Sequence, residues 1–319
     1  MNKGTRSGFS IVRLIRPVII LAIIAFAFYI LIPQLKELPM GLSAVRHGRW
    51  TYLLIALAGS ILTFLAEVWM IRVSIDKPPP WIKSYIVELA TFFAATVTPA
   101  GLGWFAINQR YLEYCGNDRD SSRTALTLFI LISLITDVLT VMLLLPLIPA
   151  LSIPQMRWPQ ILVILKSILI VLGISGLILW VPYLRKKLIR EVIPLVRAFP
   201  DAVNNPKRSF LMIIAATASN VAYGIALGGT VAAFGESLPF IGVFLADIIA
   251  SVAARISPTP GGLGATELAL VAILNSMGMD GGSAVAAVLS FRIITFWLPL
   301  PLGGIALHIA TKRGWIYGQ

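Results

Sequence analysis

The sequence has little charge and few of the residue types that build soluble active sites. Only 13% of its 319 residues are Asp, Glu, Lys or Arg, about half the share found in soluble globular proteins. The single cysteine, Cys115, excludes an internal disulfide and a multi-cysteine metal site. The two histidines, His47 and His308, lie far apart in the chain. We therefore expect no metal site, no cofactor and no enzymatic activity.

Apolar residues take the place of charge: 58% of the chain is hydrophobic and its mean hydropathy is +0.87. Because a helix needs ~20 apolar residues to cross a bilayer, we expect a polytopic membrane protein. We interpret 17–33 as a retained first span, since no signal-peptide cleavage pattern follows it. The uninterrupted apolar runs are 17–33, 50–71, 124–149, 160–182, 209–234 and 283–310.

Two further apolar runs, 81–107 and 240–277, are interrupted by glycine and proline. The first contains TPAGLG (98–103) and the second TPGGLG (259–264), identical at five of six positions. Irregular backbone at membrane depth is tolerated where protein buries it or where it lines a cavity. Paired interruptions in two halves of a chain indicate a transporter's binding site, although each could instead be a kink in an ordinary span.

The repeated motif suggests half-repeats 1–150 and 160–319 within a single transmembrane domain, 1–319. If both interrupted runs re-enter the side they came from, 18 Lys and Arg lie inside and 4 outside. If both cross, the counts are 9 and 13, against the positive-inside rule. We therefore predict an all-α fold with about six transmembrane helices, two re-entrant hairpins of opposite orientation and cytoplasmic termini.

The net charge of +12 follows from these short basic loops, so we expect no nucleic-acid partner. Segment 183–208 places Leu184 and Leu188 at helical spacing against Arg185 and Arg190. This pattern is typical of an amphipathic helix on the cytoplasmic leaflet, and equally of a solvated basic loop.

Charged residues at membrane depth are costly and indicate function. Arg255 and Glu267 flank the second interruption, and Arg292 lies in the last run. Arginine binds phosphate oxygens in a bidentate manner, so two deep arginines suggest a lipid head-group site. The alternative is a structural Arg–Glu pair. Glu267 would also be residue N3 of a helix capped by Gly264, where a carboxylate satisfies free backbone N–H groups.

Two aspartates, Asp137 and Asp247, also lie within apolar sequence. Intramembrane aspartyl proteases carry Tyr-Asp and Gly-x-Gly-Asp signatures, and neither occurs here, so we interpret the pair as a proton relay or as polar helix partners. Glu67 and Glu88 are weaker candidates, since Glu67 can reach toward Arg72 near the cytoplasmic face.

The stretch Pro258–Gly264, followed by Glu267, Arg292 and the Phe296-Trp297 pair, resembles the lysylphosphatidylglycerol synthase transmembrane-region family of flippase-like proteins. The match is looser upstream, where it rests on 98–112. Members of the family carry Gly-Glu and a downstream arginine in that earlier motif. Here Trp104 follows Gly103, and Arg110 stands for the arginine.

The resemblance implies a lipid translocase of the cell (inner) membrane, acting on membrane lipids as a homodimer. The chain ends at Gln319, so we expect a stand-alone member and a separate lipid-modifying enzyme as a partner. The alternatives are a proton- or ion-coupled permease for a small solute and a non-transporting accessory protein of a lipid-modifying enzyme. The expected substrate-binding residues are Arg255, Arg292, Glu267, Gly261, Gly262, Gly264, Thr259, Gly101, Gly103 and Arg110.

Overall fold

The computed structural model describes residues 38–98, 101–144, 204–256, 262 and 264–316. These residues are mostly helical, and no strand occurs among them. The predicted all-α membrane fold is confirmed. The helices are α1 (Leu38–His47), α2 (Trp50–Val73), α3 (Trp81–Val97), α4 (Leu102–Tyr114), α5 (Arg119–Leu144), α6 (Pro206–Ala233), α7 (Phe240–Ile256), α8 (Ala265–Ser276), α9 (Gly281–Arg292) and α10 (Pro299–Lys312).

Four helical stretches in the described part of the chain are long and apolar enough to cross a membrane: α2, α5, α6 and the continuous stretch Gly281–Lys312. They correspond to four of the six uninterrupted runs. Each contains at least 24 residues, so each exceeds the ~20 residues that a crossing needs. The predicted spans 17–33 and 160–182, and 183–203 of the basic connection, lie outside the described residues.

Helices α2 and α6 pack closely against each other. Gly59 of α2 lies so close to α6 that an added Cβ would be 2.7 Å from Ala222 O. Gly229 of α6 mirrors it, with an added Cβ 2.8 Å from Tyr52 O and Ala56 N. Small residues let helix backbones approach closely where no hydrophobic effect drives association in lipid. This contact joins the two halves of the chain.

Both interrupted runs are broken helices, as predicted. In the first broken helix (81–114), α3 ends at Val97 and α4 begins at Leu102; the first break lies between them, and α4 packs against α3. In the second (240–276), α7 ends at Ile256 and α8 begins at Ala265; the second break lies between them, and α8 packs against α7. This packing agrees with two hairpins, and their re-entry from opposite faces stays a prediction.

Each broken helix also packs against the last long helix of the opposite half. Helix α3 contacts α10, and α7 contacts α5. The reciprocal arrangement is the one that an inverted repeat would produce, and the half-repeats themselves stay a prediction.

The last span contains a π-helical segment, Ile293–Trp297, between α9 and α10. Such single-turn bulges are frequent at functional sites. Ser60 of α2 donates a hydrogen bond to Ile294 O at 3.3 Å. The bulge begins directly after Arg292 and positions the Phe296 ring below the guanidinium, with Cζ 4.5 Å from the ring centroid.

Candidate functional site

The second broken helix is held by a buried ion pair. Glu267 Oε1 accepts a hydrogen bond from Arg292 Nε at 2.6 Å, and Glu267 Oε2 accepts one from Gly264 N–H at 2.6 Å. Helix α8 therefore begins with Gly264 as N-cap and Glu267 at N3, as the capping interpretation predicted. The same carboxylate is both helix cap and ion-pair partner.

The geometry of this pair leaves little freedom for either side chain. The Glu267 and Arg292 side chains are 16% and 10% exposed, so both charges are largely removed from solvent. Breaking such a pair leaves an uncompensated buried charge, which is costly. The second break is therefore joined firmly to the last span at the start of the π-helical segment.

The backbone before α8 requires glycine. Gly262 has φ +64°, and an added Cβ would lie 2.3 Å from the Ala254 Cβ on α7. Thr266 donates a hydrogen bond to Gly262 O at 2.9 Å, which ties the break to the first turn of α8. Together these contacts bring the start of α8 against the end of α7.

The first broken helix is held by a neutral hydroxyl instead. Thr98 Oγ1 accepts a hydrogen bond from Gly103 N–H at 2.8 Å and donates one to Ala94 O at 2.7 Å. An added Cβ on Gly103 would lie 2.5 Å from that same Ala94 oxygen. Gly101 adopts φ +67° at the N-cap of α4. In the described part of this break, the turn is therefore held by a hydroxyl group rather than by an ion pair.

Trp104, the residue that follows the first motif, connects α4 to a buried carboxyl. Its Nε1–H donates a hydrogen bond to Glu88 Oε1 at 3.0 Å. Glu88 is 2% exposed. The carboxyl of Glu67 on α2 lies within hydrogen-bonding range of Glu88, and Asn108 of α4 lies beside it. From the sequence, both glutamates were weaker candidates. In the structure, their carboxyl groups lie close together.

A cavity of about 370 Å³ lies between α2, α4, α5, α6 and α7, which come from both halves of the chain. Among the described residues, its wall contains three carboxyl groups, those of Glu67, Asp137 and Asp247, and no lysine or arginine. Other polar lining groups are supplied by Trp104, Ser133, Ser219, Asn220, Tyr223 and Ser251. The cavity is therefore suited to a polar or cationic group at membrane depth.

The predicted Asp137 and Asp247 both line this cavity. Asn220 of α6 donates a hydrogen bond from Nδ2 to Asp137 Oδ1 at 2.7 Å. Asp247 lies within electrostatic range of both Asp137 and Arg292. Arg292 in turn lies within range of Tyr223. The cavity and the second break are thus electrostatically connected, and the assignment of the aspartates as a proton relay stays a prediction.

The remaining predicted site residues are less well placed or lie outside the described residues. The backbone of Arg255 lies in the last turn of α7. Arg110 is an exposed residue of α4 and is absent from the cavity wall. Thr259 and Gly261 are outside the described residues. In the described part of the chain, no three His, Cys, Asp or Glu side chains gather as a metal site.

Comparison with known proteins agrees with this architecture. The family model described as the transmembrane region of lysylphosphatidylglycerol synthase matches residues 14–303. The chain belongs to this family. The match covers both broken helices, the cavity wall and the Arg292–Glu267 pair.

Two archaeal relatives match over a shorter stretch. A UPF0104 membrane protein of Pyrococcus horikoshii is 37% identical over 71 residues, 22% of this chain and 21% of the relative. A UPF0104 membrane protein of Methanothermobacter thermautotrophicus is 33% identical over 73 residues, 23% of this chain and 22% of the relative. Each alignment thus spans about a fifth of the relative's length.

Proposed function

We propose that this protein is a lipid translocase that moves a polar head group between the two leaflets. The observation that carries the proposal is the acid-lined cavity of about 370 Å³ between helices of both halves. Ligand pockets range from ~300 to 1,000 Å³, so the cavity suits a head group rather than a whole lipid. The acyl chains would remain in the surrounding bilayer.

The charges around the cavity favour a zwitterionic or cationic head group. Glu67, Asp137 and Asp247 attract an amine, because opposite charges interact strongly where little water screens them. Arg292, in electrostatic range of Asp247, is the candidate for a phosphate, although Glu267 occupies its Nε. Phosphate contact would use the other edge of the guanidinium or require the pair to open.

The family description supports a lipid substrate, since it names the membrane region of a synthase whose product is a lysine-bearing phosphatidylglycerol. The expected inner-membrane location, homodimer and separate lipid-modifying enzyme are further proposals drawn from that family.

The test is leaflet exposure in proteoliposomes prepared from the host's own lipids. A membrane-impermeant amine-reactive reagent labels exposed head groups, and mass spectrometry reports which lipid classes become reachable with time. We expect one lipid class to move with the wild-type protein and not with Arg292→Ala or Glu267→Gln. Arg119→Ala is the matched control, because the Arg119 side chain is 68% exposed and lies outside the cavity.

One outcome would contradict the assignment of Arg292, and two would contradict the proposal. Full movement in Arg292→Ala would remove this residue from the site. Movement of no lipid class, combined with thermal stabilisation by a small soluble solute, would favour a permease. Movement of no class, combined with stable co-purification of a lipid-modifying enzyme, would favour an accessory role.

A further inference from the structure

The buried carboxyl group beside the cavity has chemistry that neither the ion pair nor the head-group site uses. Glu88 lies on α3, behind Trp104, and its Oε1 accepts the Trp104 N–H at 3.0 Å. Its Oε2 is buried and accepts no hydrogen bond from the described residues. The carboxyl of Glu67, which lines the cavity, lies within hydrogen-bonding range of Glu88.

Two carboxylates in such proximity do not both ionise, because like charges in a buried site repel strongly. One proton between them converts the repulsion into an O–H···O⁻ hydrogen bond, which is among the stronger kinds. That proton would also supply the donor that Glu88 Oε2 lacks. Asn108 lies beside the same carboxyl, but its Nδ2 has no hydrogen-bond partner either, so it does not neutralise the pair.

We propose that Glu67 and Glu88 share one proton and form a proton-binding site in the cavity wall, which couples head-group movement to a proton gradient. The coupling rests on the proposed function, whereas the proton-binding site does not. A cationic group entering the cavity beside Glu67 stabilises the ionised pair and expels the proton. Proton and cation therefore compete for one site, and each is released as the other binds.

Other titratable groups lie around the Glu67–Glu88 pair, and their positions decide which residues a test of the shared proton must change. The cavity wall adds Asp137 from α5, Tyr223 from α6 and Asp247 from α7. Arg292 and Glu267 lie outside the cavity wall and form an ion pair with each other. Helix α10, which packs against α3, carries an exposed His308. Glu67 itself lies in direct hydrogen-bonding range of Glu88, so the pair can be tested by changing these two residues alone.

The proton is measured by infrared absorption of protonated carboxyl groups in the full-length, detergent-solubilised chain at neutral pH. We expect Glu67→Gln and Glu88→Gln each to lose the intensity of one carboxylic acid, because the glutamine amide donates the hydrogen bond that the proton supplied. Glu236→Gln, in the turn before α7, is the matched control and should keep the band. Equal spectra for all four proteins would overturn the proton-binding site.

Trp104→Phe provides a second readout that does not depend on removing a carboxyl. It deletes the donor to Glu88 Oε1 and leaves both acids in place. The band should keep its intensity and move in frequency, since the hydrogen bonding of the Glu88 carboxyl changes. A band that does not move would show that the proton lies on a different carboxyl group.

Coupling is tested with the leaflet-exposure experiment under imposed proton gradients of either direction. The wild-type rate should change when the gradient is reversed, and the Glu88→Gln rate should not. If wild-type protein moves no lipid, the proposed function fails while the infrared result still decides the proton site. If lipid moves at one rate in both gradients, coupling is overturned and translocation stands.

Discussion

The two broken helices share a six-residue motif and differ in what holds each break closed. At the first break, Thr98 binds the backbone on both sides of the turn through its hydroxyl group. At the second, Glu267 caps α8 and binds Arg292 on the last span. The motif thus specifies a turn, while neighbouring helices decide whether that turn also carries charge.

The carboxyl groups near the two breaks come from different sides of the break. Glu88 lies on the helix before the break and is reached by Trp104 from the helix after it. At the second break the carboxylate lies on the helix after the break itself. The ion pair to the last span and the two glutamates beside the cavity therefore use carboxyl groups from opposite sides of their breaks.

The largest expected effect comes from breaking the ion pair. Arg292→Leu should lower the free energy of unfolding by about 3–5 kcal/mol, because it leaves the Glu267 carboxylate buried without its partner. Thermal or denaturant unfolding in mild detergent measures the loss. The double variant Arg292→Leu with Glu267→Gln should recover part of it, since neither charge remains. A double variant less stable than Arg292→Leu would show that the pair is not the source of the effect.

The next largest effect on the free energy of unfolding comes from replacing a glycine at each break, Gly262 at the second and Gly101 at the first. Gly262→Ala should cost about 2 kcal/mol or more, because the new Cβ meets Ala254 and φ is positive. Gly101→Ala has positive φ but no described atom within 4 Å of the added Cβ, so about 1 kcal/mol is expected. Unfolding in the same detergent compares them directly. Equal losses would mean that helix contact at the second break adds nothing.

The hydroxyl groups at the two breaks should show the opposite order. Thr98→Val removes the acceptor for Gly103 N–H, a capping loss of about 1 kcal/mol. Thr266→Val removes only a donor to Gly262 O, so the expected loss is smaller, about 0.5 kcal/mol. Amide hydrogen exchange at residues 101–105 and 264–268 measures each locally. Faster exchange confined to the second break in both variants would contradict this assignment.

The smallest effect concerns the aspartates that cap the helix after each broken helix. Asp118 accepts Ser121 N–H before α5, and this backbone hydrogen bond lowers its pKa. Because the pKa of Asp118 is lower in the folded than in the unfolded protein, its ionised form stabilises the fold. This contribution is fully present at pH values above the pKa in the unfolded protein. It is lost as the pH falls through the pKa in the folded protein. Asp118→Asn keeps a capping oxygen, so acid should destabilise it less than wild type. Asp280 caps α9 through Gly282 and Ser283.

Thermal unfolding of wild type and Asp118→Asn across an acidic pH series measures this difference. Parallel acid sensitivity in wild type and Asp118→Asn would exclude the Asp118 cap as a source of the pH dependence.

Features carried by local sequence were predictable. Four spans followed from apolar length, both breaks from glycine and proline, and the Glu267 cap from its three-residue distance to Gly264. Each depends on residues close together in the chain, where helix geometry alone sets the contacts. The same local reasoning made Glu67 and Glu88 weaker candidates, because it related Glu67 to nearby Arg72 and not to Glu88 on the next helix. The signal that could have found Glu88 was Trp104, which takes the place of an acidic residue in the family motif.

The sequence by itself determined that this protein lies in a membrane, that two of its helices break, and that Glu267 begins the helix after the second break. Only the tertiary structure decided that Glu88 meets Glu67, that Asn220 meets Asp137, and that helices of both halves enclose an acidic cavity. The physical reason is that an apolar helix face is as stable against lipid as against another helix, so hydrophobicity does not select the partner. Partner helices are therefore selected by close approach at small residues such as Gly59 and Gly229, and their polar side chains meet where that packing places them.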